Sequence, residues 1–401
     1  MVQVLLNRER KAGIGARRRR GKPANPGNNP SLGNGATQDW LAVIEAVAAA
    51  VLVGLVLGVP AHAASKSSKP QASTAPVLLL EGNRKLTFER SLSDEREVRA
   101  KRGLWKHLLE VAIGEPQSHF MVRPYGVVTD SRGRVLITDP GARGIHVFDP
   151  NQQKYRFIAR YEGKELLRSP QCIAVDGQDN IYVTDSELGK IEVFDANGKF
   201  QRAIGSLGRG EGFFKRPTGI AVDSGAHHIF VSDTLRDTIF VLDMNGEVLQ
   251  TIGKRGSAEG ELRYPTELRL AGDDLLVVDA MNFRVQVFST SGQFRYAIGR
   301  QGDGTGGVFR AKGIGIDSED HIYIVDALSS LVQVFDRSGQ LLYYFGGKGT
   351  GFGDFQLPAG LFIDRNDRVF VVDSFNRRVQ IFQYFHPAQQ GGGRTGVGGA
   401  Q

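Results

Sequence analysis

Six aspartates recur along the chain, and each ends a short run of alternating apolar residues. They are Asp139, Asp185, Asp233, Asp279, Asp326 and Asp373, at intervals of 46, 48, 46, 47 and 47 residues. Carboxylates can bind metal ions or transfer protons, but such chemistry needs them to converge on one point. One aspartate per repeat spreads them evenly instead. An aspartate at a strand end accepts hydrogen bonds from the N–H groups of the next loop. We therefore interpret the six as turn residues.

Departures from the repeat are better candidates for a site. A glycine stands near the start of the first strand in four repeats, but Cys172 and Glu267 replace it in the second and fourth. The fourth repeat also carries Arg269, where its sister repeats have small or apolar residues. Glu267 and Arg269, two residues apart, share one face of a strand, and Lys312 begins the same strand of the next repeat. They predict either a ligand site or an internal ion pair that replaces small-residue packing.

Basic residues follow the recurrent aspartates in five repeats. These residues are Arg143, Lys190, Arg236, Arg284 and Arg377. A crown of such side chains on one face could bind an anionic peptide, glycan or surface. The alternative is that they solvate the loops and pair with nearby acids.

Other catalytic and metal-binding patterns are missing from the sequence. The eight histidines show no His-x-His or His-Glu-x-x-His spacing, and there is no Gly-x-Ser-x-Gly elbow or Walker loop. Cys172 is the only cysteine, so the chain forms no internal disulfide and no cysteine-based zinc site. We expect Cys172 to be a small buried side chain, and we assign no catalytic residue, metal or cofactor.

The elements that position these residues are four short strands per repeat. In the third repeat the period-two alternation predicts strands a to d at 219–223, 228–232, 238–243 and 247–253. Asn-Gly and Ser-Gly turns join strands c and d. Four antiparallel strands every 47 residues predict one blade of a propeller, and six repeats predict an all-β, six-bladed ring. Strand a is innermost, which places Glu267, Arg269 and Lys312 near the central channel.

The sixth repeat has no fourth strand, because the glycine-rich end of the chain follows strand c. An open sheet edge is an aggregation hazard, so we expect another segment to pair with it. Residues 83–92, "NRKLTFERSL", have the strand pattern, and we predict that they close blade six. Residues 103–114 predict a short amphipathic helix. The alternative is that 106–113 form the closing strand.

The charge is concentrated before the repeats. Residues 1–63 carry eight basic and three acidic residues, which leaves 42 basic and 40 acidic residues in the rest. "ARRRRGK", the apolar run 40–60 and "AHAAS" predict a signal peptide cleaved before Ala64, or a membrane anchor at 40–60. We thus expect an exported protein, periplasmic or extracellular, with inner-membrane anchoring as the alternative. The predicted organisation is a leader at 1–63, a linker at 64–75, a closing strand and helix at 76–122, blades at 123–385 and a disordered tail at 386–401.

The phrases "RPTGIAVD", "IYVTD" and "RVQVF" resemble the NHL repeat, and the resemblance covers about residues 123–385. It implies a six-bladed propeller similar to exported bacterial proteins of this type. Animal relatives that carry RING and B-box zinc modules are ubiquitin ligases or bind RNA on the propeller face. The single cysteine excludes those zinc modules here, and the nearly neutral body weakens the RNA interpretation.

Three function hypotheses follow. The first is an exported binding or scaffold module that holds a protein, peptide or envelope component on its loops. The second is a propeller enzyme, of lyase or hydrolase type, with Glu267 as acid or base at the channel mouth. The third is RNA binding, which requires that the protein stays inside the cell.

Overall fold

The computed structural model of the chain describes residues 76–98, 119–161, 163–205, 213–302 and 305–387. The alternating apolar runs of the sequence form the strands. Before the blades lie β1 (Val77–Leu80), β2 (Arg84–Leu92) and a short 3-10 helix (Glu95–Glu97). Blade one has β3 (Val127–Thr129), β4 (Val135–Asp139), β5 (Gly144–Asp149) and β6 (Lys154–Ile158), followed by a small hairpin of β7 (Arg160–Tyr161) and β8 (Lys164–Glu165).

The other blades repeat this plan. Blade two has β9 (Pro170–Val175), β10 (Ile181–Asp185), β11 (Lys190–Phe194) and β12 (Phe200–Ile204). Blade three has β13 (Pro217–Asp223), β14 (His228–Asp233), β15 (Thr238–Asp243) and β16 (Val248–Ile252). Blade four has β17 (Pro265–Ala271), β18 (Asp274–Asp279), a 3-10 helix (Ala280–Asn282), β19 (Arg284–Ser289) and β20 (Phe294–Ile298). Blade five has β21 (Ala311–Ile316), β22 (Ile322–Asp326), β23 (Leu331–Phe335) and β24 (Leu341–Gly346). Blade six has β25 (Leu361–Ile363), β26 (Arg368–Asp373) and β27 (Arg378–Phe385).

The blades form a closed ring around a central channel. Within each blade the strands are antiparallel and follow the chain, and strand a of each blade contacts strand a of the next. Strand β25 of blade six contacts β3 of blade one, which completes the circle. These inner strands approach so closely that a Cβ added to Gly219 would lie 2.3 Å from the carbonyl oxygen of Thr266. Blade-to-blade packing therefore leaves no room for a side chain at Gly219.

The core consists of six apolar clusters, one at each junction between blades. Period-two alternation explains this arrangement, because the two faces of a strand point to different neighbours. On β14, Ile229 and Val231 pack toward blade two, while Phe230 packs toward blade four. All three side chains are fully buried, and each such burial contributes about 1.5–3 kcal/mol.

Blade six is closed by the N-terminal strand, as residues 83–92 predicted. Strand β2 pairs antiparallel with β27, from Lys85 opposite Phe385 to Leu92 opposite Val379. The sequence did not predict β1, which pairs with β2 and makes blade six five-stranded. The ring thus joins the first and last strands of the fold in one sheet, which leaves β27 with neighbours on both sides.

Several sequence predictions fall outside the described residues. These are the leader at 1–63, the linker at 64–75, the amphipathic helix at 103–114 and the tail beyond residue 387. The rival closing segment at 106–113 lies there too, although the edge that it would cover is occupied by β2. Within the described ranges, no helix is long and apolar enough to cross a membrane.

Candidate binding site at the channel mouth

The loops between strands b and c and the two residues before each strand a lie on the same face of the ring. Backbone hydrogen bonds join the two sets: Thr234 donates to the carbonyl of Arg216, and Ala327 donates to that of Arg310. We call these segments the loop face. It comprises residues 122–123, 140–143, 168–169, 186–189, 215–216, 234–237, 263–264, 280–283, 309–310, 327–330, 356–357 and 374–377.

A cavity of about 310 Å³ opens on the loop face at the channel mouth. Its basic lining residues are Arg123, Arg216, Arg310 and Lys312, which we call the pocket cations. Blade two contributes Ser169, Gln171 and Ser186, while blade six contributes an apolar wall that includes Leu357 and Phe375. No acidic residue of the described chain lines the cavity. The cavity is therefore positively charged, with a polar side and an apolar side.

The three arginines occupy the same position in alternate blades. Arg123, Arg216 and Arg310 stand directly before the first residue of the strand-a motif in blades one, three and five. The corresponding residues of blades two, four and six are Ser169, Tyr264 and Leu357. Because the ring closes, residues separated by about ninety positions in sequence meet at one pocket.

The recurrent aspartates hold the backbone of these arginines. Asp139 accepts a hydrogen bond from the N–H of Arg123 at 3.0 Å. Asp233 accepts one from Arg216 at 3.0 Å, and Asp326 accepts one from Arg310 at 3.3 Å. The same carboxylates also cap the following b–c loop, as when Asp139 accepts from Ala142 at 2.9 Å. The aspartates are thus turn residues, and they also fix the backbone position of the three pocket arginines. Sequence reasoning found the first role and missed the second.

No carboxylate in the part of the chain that the structure describes lies within ion-pair distance of the four pocket cations. Arg216 donates to the hydroxyl of Tyr264 at 2.9 Å, and the Lys312 ammonium lies 5.7 Å from the centre of the Tyr125 ring. Burial lowers the pKa of Lys312, and the charge of Arg310 lowers it further. The first effect is the cost of removing the ammonium from water, and the second is repulsion between neighbouring cations, which the charge of Glu267 partly opposes.

Glu267 and Arg269 occupy the channel as a buried pair. Arg269 donates to Oε1 of Glu267 at 2.9 Å and to the carbonyl oxygens of Leu361 at 2.6 Å and Ile314 at 3.2 Å. Cys172 donates its thiol hydrogen to Oε2 of Glu267 at 3.0 Å. Burial raises the pKa of Glu267, which is only 3% exposed, and also raises the pKa of Cys172 well above its usual range. Glu267 and Arg269 are not among the residues that line the cavity.

Of the residues that the sequence predicted for a site, Lys312 lines the cavity. The five basic residues that follow the recurrent aspartates do not line it. Arg284 pairs with Asp279 at 2.9 Å, and Arg236 pairs with Asp233 at 3.3 Å. Arg143 lies 3.8 Å from Glu165, and its side chain is 59% exposed. Lys190 begins β11, and Arg377 is exposed in a left-handed turn conformation with φ of 56°. These five residues stand at different positions relative to their aspartates, so their distribution is irregular.

Sequence reasoning missed Arg123, Arg216 and Arg310. Their signal is present in "RPYG", "RPTG" and "RAKG", where an arginine precedes the strand-a motif in every second repeat. The structure shows no group of three or more His, Cys, Asp or Glu side chains placed to hold a metal ion in its described ranges. Its four cations, two serines and one glutamine suit the cavity to binding through charge and hydrogen bonds.

Fold and site together define the class: the chain is a six-bladed β-propeller. A family model described as a 6-bladed beta-propeller matches residues 162–253 and 257–333, which span most of blades two to five. No curated protein matches the chain by sequence. The likeness to NHL repeats stays a resemblance of sequence motifs.

Solved structures show the same fold at low identity. A protein of unknown function from Bacteroides thetaiotaomicron is 15% identical, with a TM-score of 0.51, over 78% of this chain and 84% of that one. An auxiliary nutrient binding protein from the same organism is 13% identical, with a TM-score of 0.51, over 66% and 69% of the two chains. Virginiamycin B lyase from Staphylococcus aureus is 15% identical over 66% and 84%, with a TM-score of 0.48. At these identities the likeness concerns the fold alone.

Proposed function

We propose that the propeller is a binding module that holds a protein partner on its loop face. The observation that carries this proposal is the composition of that face. Seven of the fifteen large apolar side chains that are exposed in the described chain belong to it. They are Val122, Leu235, Met281, Phe309, Leu328, Leu357 and Phe375. Exposed apolar side chains gathered on one face are typical of an interaction surface.

Charge on the loop face supports the same proposal. Its segments contain nine basic and two acidic residues, whereas the chain beyond residue 63 is nearly neutral. Eight of the nine are arginines. Arginine, methionine and phenylalanine are enriched at protein interfaces, and arginine binds carboxylates through two hydrogen bonds at once. We therefore expect a partner whose surface combines apolar and acidic side chains.

A closed ring suits this role, because its loops rest on a rigid support. Every turn aspartate is bonded to loop backbone, so an arriving partner orders few main-chain atoms and loses little conformational entropy. The binding interpretation is favoured over the enzyme alternative because Glu267, the proposed acid or base, is buried and already bonded to Arg269 and Cys172. Export of the protein, and its location outside the cytoplasm, are part of the proposal and depend on the leader at 1–63.

The test is capture of a partner by the full chain, followed by binding of the purified partner. The variant Leu235→Ser with Leu328→Ser removes apolar contact from blades three and five of the loop face, outside the cavity. The matched control is Val248→Ser with Leu249→Ser, which removes two exposed apolar side chains from β16 at the outer edge. We expect the first variant to weaken binding at least tenfold and the control to bind like wild type. Equal binding by all three proteins would contradict the proposal, and capture abolished by ribonuclease would favour RNA.

A further inference from the structure

We infer that the cavity at the channel mouth binds a compact oxyanion with two or more negative charges, such as a phosphate group or a polycarboxylate. This inference rests on the proposed function and specifies which chemical group the binding face recognises. The ligand is either a free small molecule or a group presented by the partner. The chemistry is the same in both cases, and the experiment below distinguishes the sources.

The cavity brings four positive charges close together. Arg123, Arg216, Arg310 and Lys312 line one cavity of about 310 Å³, and no carboxylate of the described chain lines it with them. Below the cavity, the charges of Glu267 and Arg269 cancel each other at 2.9 Å. A single carboxylate would leave most of the charge of the four pocket cations uncompensated. A multiply charged oxyanion would compensate more of it and release the mutual repulsion.

The cavity offers hydrogen-bond donors from several blades. Three of the four pocket cations are arginines, whose planar guanidinium groups match the oxygen pairs of phosphates and carboxylates. Because they come from blades one, three and five, they approach from different sides of the channel. Ser169, Ser186 and Gln171 add neutral polar groups from blade two. A compact group with several oxygens can accept from donors on all sides, whereas a flat monocarboxylate cannot.

Parts of the pocket are already held in place before an anion binds. The backbone at each arginine is held by the carboxylate of Asp139, Asp233 or Asp326. The Lys312 side chain is half-buried beside Tyr125, which limits its freedom. A fixed backbone at the arginines and a confined Lys312 side chain reduce the entropy that is lost when an anion arrives, compared with lysines on mobile loops. Four cations kept together, with no carboxylate partner among the described residues, are therefore arranged for an anion.

The experiment is titration calorimetry of the full chain with inorganic phosphate, citrate and acetate at constant ionic strength. The test variant is Arg123→Gln with Arg310→Gln. Both side chains are exposed and have no side-chain partner among the described residues, so the fold should be retained. The matched control is Arg168→Gln with Arg263→Gln, which removes the same charge from the same face, outside the cavity.

We expect phosphate and citrate to bind wild type at least tenfold more tightly than acetate does. The test variant should lose at least tenfold in affinity for both, and the control should stay within twofold of wild type. No binding of phosphate or citrate, or acetate binding as tightly as they do, would overturn the inference. An equal loss in the control would also overturn it, because the effect would then be general surface electrostatics.

A competition experiment between phosphate and the captured partner distinguishes the two sources of the anion. Phosphate that displaces the captured partner indicates that the partner supplies the anionic group, whereas undisturbed capture with bound phosphate indicates a free ligand. Loss of partner binding in the apolar variant Leu235→Ser with Leu328→Ser tests the proposed function by itself, because neither residue lines the cavity. The oxyanion site and the protein-binding face can thus fail separately.

Discussion

The thiol sulfur of Cys172 lies 3.0 Å from Oε2 of Glu267, so blades two and four meet inside the ring. These two residues are the ones that replace the strand-a glycine of their sister blades. Cys172 is 2% exposed and belongs to the apolar cluster between blades two and three, and its carboxylate neighbour also accepts a hydrogen bond from Arg269. The two departures from the repeat therefore form one contact, which joins two blades of the inner ring that blade three separates.

The Cys172 thiol should be unreactive in the folded protein. Burial, with the nearby Glu267 carboxylate, raises the pKa of the thiol well above its usual range, and only the thiolate attacks alkylating reagents. We expect negligible labelling by a maleimide at pH 7.5 in buffer, and complete labelling of the single cysteine in concentrated urea. The urea sample is the control for reagent activity. Rapid labelling without urea would mean that the channel opens to solvent.

Arg269→Met should destabilise the fold by about 3–5 kcal/mol, because it leaves the buried Glu267 carboxylate without its cation. The deficit should shrink as the pH falls, since the variant then protonates a carboxyl whose pKa burial already raises. The double variant Glu267→Met with Arg269→Met removes both charges and should recover most of the loss. Urea unfolding at pH 5 and pH 8 measures these differences.

The double variant should stay about 1–2 kcal/mol below wild type, because the carbonyl oxygens of Ile314 and Leu361 lose the donor that Arg269 supplies. A single variant as stable as wild type would show that the pair is hydrated. The ion-pair interpretation of the blade-four departure would then be wrong.

Glu319 connects the N-terminal strand to the ring. Arg84 of β2 donates two hydrogen bonds to it, at 2.8 and 2.9 Å, and Tyr384 of β27 donates one at 2.6 Å. The bond from Arg84 is the main cause that lowers the pKa of Glu319 from 4.5 to about 2. The stabilisation is therefore present above about pH 4.5 and is lost as the pH falls toward 2.

Glu319→Gln should lower stability at pH 7 by about 1 kcal/mol, a modest value because Arg84 is partly exposed. Glu187→Gln is the control, since Glu187 pairs with Arg168 at 3.7 Å and both side chains are more than half exposed. That control should change stability by less than about 0.5 kcal/mol. Thermal unfolding of both variants between pH 3 and pH 7 measures these stability differences. A pH-independent deficit in Glu319→Gln would contradict the role of the ionised Glu319 carboxylate.

Glu192 of β11 lies where β19, β23 and β27 carry Gln286, Gln333 and Gln380. Gln286 and Gln380 each donate a hydrogen bond to the recurrent aspartate of their blade, which a carboxylate at this place cannot do. Burial, followed by the charge of Asp185, raises the pKa of Glu192 to about 7, and Lys190 opposes the shift. Stability from the protonated group is thus complete below about pH 4.5 and declines as the pH rises through 7.

Glu192→Gln should make the protein more stable than wild type by about 2–3 kcal/mol above pH 8, and equal to it near pH 4. The matched control, Glu247→Gln, changes a carboxylate in the turn between β15 and β16, where we expect little effect. Urea unfolding across this pH range measures the difference. A wild type as stable at pH 9 as the glutamine variant would show that Glu192 is solvated or paired.

Symmetry of the repeat picks out part of the candidate site and leaves out its arginines. Comparing repeats picked out Glu267, Arg269 and Lys312, because departures from a repeated pattern are visible in sequence. The structure places Lys312 in the pocket and puts the other two beneath it as a buried pair. The arginines that complete the pocket were hidden because they repeat in every second blade and so resemble part of the pattern.

The sequence by itself determined the number of blades and most of the strands within them, and it favoured the segment that closes the ring. These follow from period-two alternation, turn residues and an unpaired last strand, all of which act over a few tens of residues. Only the tertiary structure decided which distant residues meet. Packing at six blade junctions sets the curvature of the ring, and that curvature brings Arg123, Arg216 and Arg310 to one cavity. It also brings the Cys172 thiol to Glu267, 95 residues along the chain. No local pattern encodes such a meeting, because it depends on the angle between blades summed around the closed circle.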